Sequence, residues 1–369
     1  MFKINQFIRI VCTLLLISCT NQKTQSSTSP VEEAVVPPFT EDISDYLSVT
    51  DIKPIDDSLL FSSIAKMVSD EQGNHYIMDS RGKVSSISSD GGPGPLSLTR
   101  GRASNEYVSA LDIGYIEGKI CILEDSRIKV FEVANTQNCS VVELNEIKDP
   151  VDAMSPAPGD MFFLFSAFSS SAKEDEKGLG NTLRLINSKG QIITESVPRE
   201  DCTFSMNNIS QSRDNTYYLR PQNSESIFYR LETEGVVPAF RIDFGETRMP
   251  ARYFYNTAGK DIGAYMMSDY NKLPMDLHDT KGYVYCRFCG PQASECSFVY
   301  SRETKKCIAW KNKNQDSDYR VVGSDSDSFI IIPSNVDGNY GPLGKIIQPL
   351  LKEKCLDGQR AIVRVRFNF

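Results

Sequence analysis

Short β-patterned runs separated by turn residues recur at a spacing of about 40 to 50 residues, and long helical periodicity is nearly absent. Past a short N-terminal stretch about 330 residues remain, more than one compact core ordinarily holds unless the architecture repeats. Together these observations predict an all-β fold over residues 39–369: a six-bladed β-propeller of four-stranded antiparallel blades, with one short helix near the C-terminus.

In chain order, Lys3 and Arg9, with no acidic residue beside them, precede an apolar run over residues 10–17. That layout is a secretory signal, expected over residues 1–18, and the run is too short to span a bilayer as a helix. It closes on Leu16-Ile17-Ser18-Cys19, an apolar residue and a small residue ahead of a thiol, which resembles the lipidation site of bacterial lipoproteins. Cleavage before Cys19 and lipid on its sulfur are expected, and two or three acyl chains on one residue suffice for firm anchoring. Residues 19–38 are Ser, Thr, Gln, Pro and Glu with few large apolar side chains, so they read as a flexible tether. The residues after Cys19, Thr20-Asn21-Gln22-Lys23, lack an acidic run and leave the membrane leaflet open. Loss of Lys3 and Arg9 leaves 38 basic against 48 acidic residues, which argues against nucleic acid as a partner.

The first repeat has Ile64-Ala65-Lys66-Met67-Val68, a polar turn, His75-Tyr76-Ile77-Met78-Asp79, and Val84-Ser85-Ser86-Ile87. The second follows the same scheme through Ile113, through Lys119-Ile120-Cys121-Ile122-Leu123, and through Arg127-Ile128-Lys129-Val130-Phe131. A third unit is marked by Met161-Phe162-Phe163-Leu164-Phe165 and Leu183-Arg184-Leu185-Ile186, and a fourth by Tyr217-Tyr218-Leu219 and Ile227-Phe228-Tyr229-Arg230-Leu231. A fifth uses Tyr283-Val284-Tyr285-Cys286-Arg287-Phe288, Phe298-Val299-Tyr300 and Cys307-Ile308-Ala309-Trp310. The sixth has Phe329-Ile330-Ile331-Ile332, an amphipathic helix over residues 343–354, and a last strand over residues 361–367. An early strand over residues 46–52 is available to close the ring, which a propeller needs in order not to expose a sheet edge.

Gly101-Arg102-Ala103-Ser104-Asn105-Glu106-Tyr107 resembles the Gly-Arg-Gly-Pro-Gly-Glu-Tyr stretch of six-bladed β-propeller lipoproteins of Bacteroides and relatives, propellers of NHL or TolB type. Ser226-Ile227-Phe228-Tyr229-Arg230-Leu231 and Asp243-Phe244-Gly245 are similar to that family's Asp-Thr-Ile-Tyr-Arg-Leu and Asp-Phe-Gly patterns, and Asp357-Gly358-Gln359-Arg360-Ala361-Ile362-Val363 to its closing Asn-Pro-Val-Leu strand. The resemblance covers nearly the whole mature chain. It implies the fold and a cell-envelope location, most naturally the outer membrane of a Gram-negative bacterium, and no established activity.

Candidate chemistry is sparse. His75 lies within a strand pattern and reads as structural, and His278 sits in what reads as an exposed loop over residues 275–281. Two separated imidazoles make a catalytic triad or a histidine-rich metal site difficult to build. Cys286, Cys289, Cys296 and Cys307 form a C-x2-C-x6-C-x10-C spacing open to three readings: buried free thiols, a disulfide, or a structural zinc. Gly91-Gly92-Pro93-Gly94-Pro95 reads as a blade turn, because its prolines lack the amide donors of a phosphate cradle. Asp325, Asp327 and Asp337-Gly338-Asn339 offer oxygen ligands to calcium without a full loop motif, so solvated turns are expected. The charged stretch over residues 169–180 reads as a loop. For ligand contact the first candidates are Arg252, Tyr253 and Tyr255, an aromatic and basic cluster suited to a glycan. No cofactor and no metal are expected.

Two function classes follow. The first is a non-enzymatic binding or scaffold lipoprotein, monomeric in its propeller domain, presenting one face to a glycan, peptide or envelope protein. The second is a lipid-anchored hydrolase or lyase using carboxylates in the funnel, an analogy from fold alone. Convergent carboxylates with Arg or Tyr at the funnel mouth would favour the enzyme, and their absence would favour binding.

Overall fold

The computed structural model describes residues 31–169, 180–196, 209–220, 226–233, 235–250, 262–312, 319–333 and 341–369. Cys19, Arg252, Tyr253, Tyr255, Asp337-Gly338-Asn339 and most of the charged stretch over residues 169–180 lie outside them.

Two strands precede the first blade, β1 (Glu32–Val35) and β2 (Leu47–Pro54). Blade one holds β3 (Ile64–Ser69), β4 (His75–Asp79) and β5 (Val84–Ile87). Blade two holds β6 (Asp112–Ile116), β7 (Lys119–Leu123), β8 (Arg127–Glu132) and β9 (Asn135–Glu143). Blade three runs through β10 (Ala153–Ala157), β11 (Met161–Ser169), β12 (Gly180–Ile186) and β13 (Ile192–Ser196). Blade four has β14 (Ile209–Gln211), β15 (Tyr217–Leu219), β16 (Ile227–Glu232) and β17 (Gly235–Asp243). A short helix α1 (Ile262–Met266) leads into blade five, with β18 (Lys272–Asp279), β19 (Tyr283–Cys289), β20 (Glu295–Ser301) and β21 (Cys307–Lys311). Blade six contributes β22 (Val321–Ser324), β23 (Phe329–Ile331), the helix α2 (Pro342–Lys354) and β24 (Ala361–Phe367).

Each blade is an antiparallel meander, and the sixth is completed by β2 in the order β2-β24-β23-β22. Leu47 pairs Phe367 and Pro54 pairs Ala361, so the two ends of the propeller chain lie in one sheet and the ring closes as expected. Two blades depart from four strands. Blade one has three, with Pro93 bridging Ile87 where a fourth would lie, and blade four gains β1 as a fifth. The stretch read from composition as tether therefore becomes folded before Phe39. Ala34 is buried, Glu33 reaches Arg241, and the Val36 amide donates to Asp243 O at 2.8 Å. An edge strand stabilised mainly by backbone pairing needs little apolar surface, so composition does not reveal it.

Local chemistry accounts for the turns. Asp79 ends β4 because its Oδ1 accepts the amides of Arg81 and Lys83, each at 2.9 Å, and so holds the turn into β5. In the glycine-rich turn, Gly91 takes φ +95° and a Cβ there would stand 2.0 Å from Pro54 O, so only glycine fits.

The apolar side chains gather in layers between successive blades. Tyr76, Ile113, Tyr115 and Phe131 pack blade one on blade two, and Phe240, Cys286, Phe288 and Phe298 pack four on five. Tyr285, Trp310, Phe329 and Phe367 pack five on six, joined by Leu343, Ile347 and Leu351 from one face of α2. Those helical positions repeat every four residues, which is what made the helix legible in advance. Pro342 occupies its first turn, where a missing N–H costs nothing.

Candidate functional site

The innermost strands β3, β6, β10, β14, β18 and β22 each expose one unpaired edge toward the axis, the position in a sheet where proline is tolerated. Pro156 and Pro274 sit there, on β10 and β18. Close packing around the axis is tight enough that a Cβ on Gly114 of β6 would come within 2.3 Å of Pro156 Cδ.

Residues of the inner strands line a small axial cavity of about 40 Å³, whose walls are Ile64, Ala65 and Met67, Ile209 and Gln211, Val321 and Val322. Its polar groups are Lys66, Asp276, His278, Arg287 and Arg320. Lys66 Nζ meets Asp112 Oδ1 at 2.7 Å, both buried, and the Asp112 carboxylate also accepts the amides of Ile113 and Met154 at 2.8 and 2.7 Å. Burial raises the Asp112 carboxyl above the usual range, with Lys66 and the two amides opposing it. Burial would also raise Asp276, but the guanidinium of Arg287 beside it brings it down to about 2. Arg287 further meets Glu295 at 3.1 Å.

Arg320 differs. It donates to Ile64 O, and among the described residues no carboxylate stands within ion-pair distance of it. Burial, and then the like charge of Arg287, push its guanidinium pKa down, with the carboxylates of Asp276 and Glu295 partly opposing them.

His278 corrects the expectation of an exposed loop. It is a buried residue of β18, with Nδ1 3.2 Å from Gln211 O. A positive φ at Leu273 and two register shifts interrupt the alternation of β18, so the strand does not read as one. Burial lowers the imidazole pKa, and the Asp276 charge only partly opposes this.

At the other end of the inner strands the axis is bridged. Blades one and four stand opposite each other in a ring of six, yet the Ser69 amide donates to Gln211 Oε1 at 2.7 Å and Gln211 Nε2 to Ser69 O at 3.3 Å. Tyr217 Oη accepts the Tyr115 amide and donates to Tyr115 O, both at 2.8 Å, and Asn215 Nδ2 donates to Glu71 at 2.6 Å. The cavity is therefore blind at this level.

Beyond the bridge lies a second opening lined by Asp70, Glu71, His75, Arg213, Asp325 and Arg364. Carboxylates and arginines do meet at this mouth, but each acid is engaged. Asp70 accepts the amides of Gln72 and Asn74 and the Tyr76 hydroxyl. Glu71 accepts from Tyr115 and Asn215. Asp325 accepts the amides of Asp327 and Ser328 in a turn and lies 3.4 Å from Arg364, a capped loop as expected. Deeper in, Asp279 accepts from Ser212 at 2.7 Å and meets Arg302 at 2.9 Å. His75 stays in its strand, buried, with Nδ1 2.8 Å from Ser69 Oγ, and burial takes its pKa down to about 3.

The four cysteines of blade five stand as free thiols, with Cys286, Cys289 and Cys296 buried, as the first of the three readings has it, and Cys307 half-buried. Opposite each in the register is another residue type, Cys286 facing Phe298 and Cys296 facing Phe288, and both pack as small apolar groups. Burial pushes the Cys296 and Cys307 thiols up to about 11. Among the described residues no group of three or more His, Cys, Asp or Glu is placed to hold a metal ion. Nor is any described helix long and apolar enough to cross a membrane.

Fold and site define a closed propeller with a blind, charged axial cavity. The chain belongs to the family described as 6-bladed beta-propeller (DUF5128), whose model matches residues 58–331. Among solved structures, a Bacteroides fragilis protein whose description assigns it to export is similar over 92% of this chain and 100% of its own, with 13% identity and a TM-score of 0.71. A catalytically inactive virginiamycin B lyase of Staphylococcus aureus, solved with quinupristin, covers 86% of this chain and 99% of its own at 9% identity and a TM-score of 0.42, too distant to inform chemistry. No curated protein matches the sequence.

Proposed function

We propose that the chain is a lipid-anchored cell-envelope propeller that binds a ligand or partner without transforming it. Leu16-Ile17-Ser18-Cys19 supports the anchor, and its likeness to Bacteroides lipoproteins supports an outer-membrane location. The observation that carries the binding reading is that, among the described residues, the carboxylates on the axis are already committed: Asp112 to Lys66, Asp276 to Arg287, Asp279 to Ser212 and Arg302. A general acid or base needs a group free to exchange a proton with substrate, and paired, buried carboxylates are poor candidates. Other expected partners are a glycan, a peptide or an envelope protein, with the propeller monomeric. Arg252, Tyr253 and Tyr255 remain candidate contacts.

The test has two arms. Cys19→Ala should move the chain from the membrane fraction to the soluble one or leave it unprocessed, and normal acylation with retention would refute the anchor. The protein from Thr20 onward, applied to a glycan array and then incubated with each retained glycan, should release no product. Turnover lost on neutralising Asp112 or Asp276 would establish the enzyme reading instead.

A further inference from the structure

The outermost strand of each blade ends in an edge, and an open edge is a template for pairing with another chain. Among the described residues most of these edges are closed or guarded. β1 covers β17, and Pro93 bridges β5. The Thr40 amide donates to Ala309 O of β21 at 2.8 Å. β2 carries Asp51, Lys53 and Pro54, and β13 is short and carries Glu195. Blade two differs. Its outermost strand β9 runs for 9 residues, the stretch from Asn135 to Val142 holds no charge and no proline, and no described strand pairs with its outer side.

The hydrogen-bond pattern shows which groups face out. Leu144 continues the register beyond Glu143 and its amide donates to Ser126 O at 2.9 Å, so the even-numbered residues of β9 bond to β8. Cys139 and Val141 therefore turn their N–H and C=O groups outward. Past them the edge closes, because a Cβ on Gly190 in a turn of blade three would stand 2.0 Å from Glu143 O. Before them the Gln137 amide donates to Asn135 Oδ1 at 3.2 Å. The open stretch is short, yet β1 holds to β17 with only 4 residues.

Beside this edge lies a groove of about 420 Å³ between blades two and three, with Val130, Val142 and Phe162 as its apolar lining. Lys119, Glu132 and Asp160 stand around it. Lys119 is paired with Asp160 at 2.7 Å, whereas Glu132 accepts from Asn138 Nδ2 at 2.9 Å and meets no cation among the described residues. The charge offered to an incoming side chain is negative.

We propose that the β9 edge is a strand-addition site for an extended segment of an envelope protein, its backbone on Cys139 and Val141, an apolar side chain in the groove and a Lys or Arg on Glu132. The inference rests on the binding reading above and deepens it by naming the surface and the kind of partner. Backbone bonds carry most of the affinity, and the exposed ion pair at Glu132 selects among sequences more than it strengthens binding.

Fluorescence anisotropy and hydrogen exchange of the purified full chain test this with labelled peptides Lys-Thr-Xaa-Thr-Xaa-Thr-Lys as probes, Xaa being Val, Ile, Leu or Phe. At least one should bind, and the Cys139 and Val141 amides, fast to exchange in the free chain, should slow about tenfold or more in the complex. The same peptide N-methylated at every internal amide should not bind, and Glu in place of its Lys residues should weaken binding about threefold. Val141→Pro deletes an outward amide without breaking a bond to β8 and should weaken binding about tenfold, whereas Val141→Thr should leave it unchanged. The methylated peptide is tested on the unaltered chain, which keeps the experiment decisive if Val141→Pro misfolds. No binding by any of these peptides, binding without protection of the two amides, or equal binding of the methylated peptide would overturn the assignment. Protection in the chain alone that rises with its concentration would give the edge to a second copy and overturn it as well. Those results leave glycan capture by the propeller intact, whereas cleavage of a bound peptide would overturn the non-enzymatic reading and keep the site.

Discussion

Replacing Lys66 by Met leaves Asp112 buried beside two amide donors with its ammonium partner gone. Breaking a buried pair from one side costs about 3–5 kcal/mol. The protein can limit the cost by protonating the carboxyl. From an ordinary value of 3.8, doing so at pH 7 costs about 4 kcal/mol, at about 1.4 kcal/mol for each pH unit. At pH 5 the same step costs about 2 kcal/mol, so the deficit against wild type should shrink by about half. The sign follows from the direction of the shift. A carboxyl raised in the folded state is favourable below its unfolded value, and that contribution is lost as pH rises through the folded value. Urea unfolding of both proteins at pH 7 and pH 5 measures this, and comparison at equal pH cancels every other titrating group. Adding Asp112→Asn removes the orphaned charge, keeps an acceptor for the Met154 amide, and should recover most of the loss. A deficit under about 1 kcal/mol at pH 7, or one that does not change between the two pH values, would refute the assignment of a tightly coupled buried pair.

Other perturbations have equally defined outcomes. Trp310→Ala empties a fully buried position between Tyr285 and Phe367 and should cost about 3–5 kcal/mol, read as a lower urea midpoint. Ile52→Ala on the closing strand β2 should cost about 2–5 kcal/mol, and a neutral result would place ring closure elsewhere. The imidazole resonances of His75, whose pKa is down at about 3, should not titrate between pH 8 and pH 4. Because that group prefers to be neutral when folded, its contribution to stability should fade as pH drops below 6.5. Cys307, half-buried and with its thiol pushed up to about 11, should alkylate far more slowly at pH 8 than an unfolded control, followed by mass spectrometry.

The repeat and its closure were legible in the sequence because they arise from local alternation. β4, β7, β19 and β24 are apolar runs bounded by turn residues, and the closing strand β2 and the helix α2 carry their own periodicities. Less legible were strands whose pattern is broken by their position. β10 contains Pro156 and is buried on both faces, and β18 carries Pro274 and a positive φ at Leu273. Both are inner edge strands, where the missing amide faces the axis and breaks no ladder. β1 escaped notice because pairing with β17 supplies what its composition lacks.

The candidate site depended on tertiary structure almost entirely. Ser69 and Gln211 are polar residues of ordinary appearance, and they bridge the axis only because the ring places blades one and four face to face. Lys66 and Asp112 belong to neighbouring blades, and Arg287 and Arg320 share the field of Asp276 and Glu295 although they come from different blades. By itself the sequence determined a repeating, closed β-architecture, since strand periodicity is a property of contiguous residues. Only the tertiary structure decided which charges meet and where the axis is blocked, because pairing across blades depends on distances that no local pattern encodes.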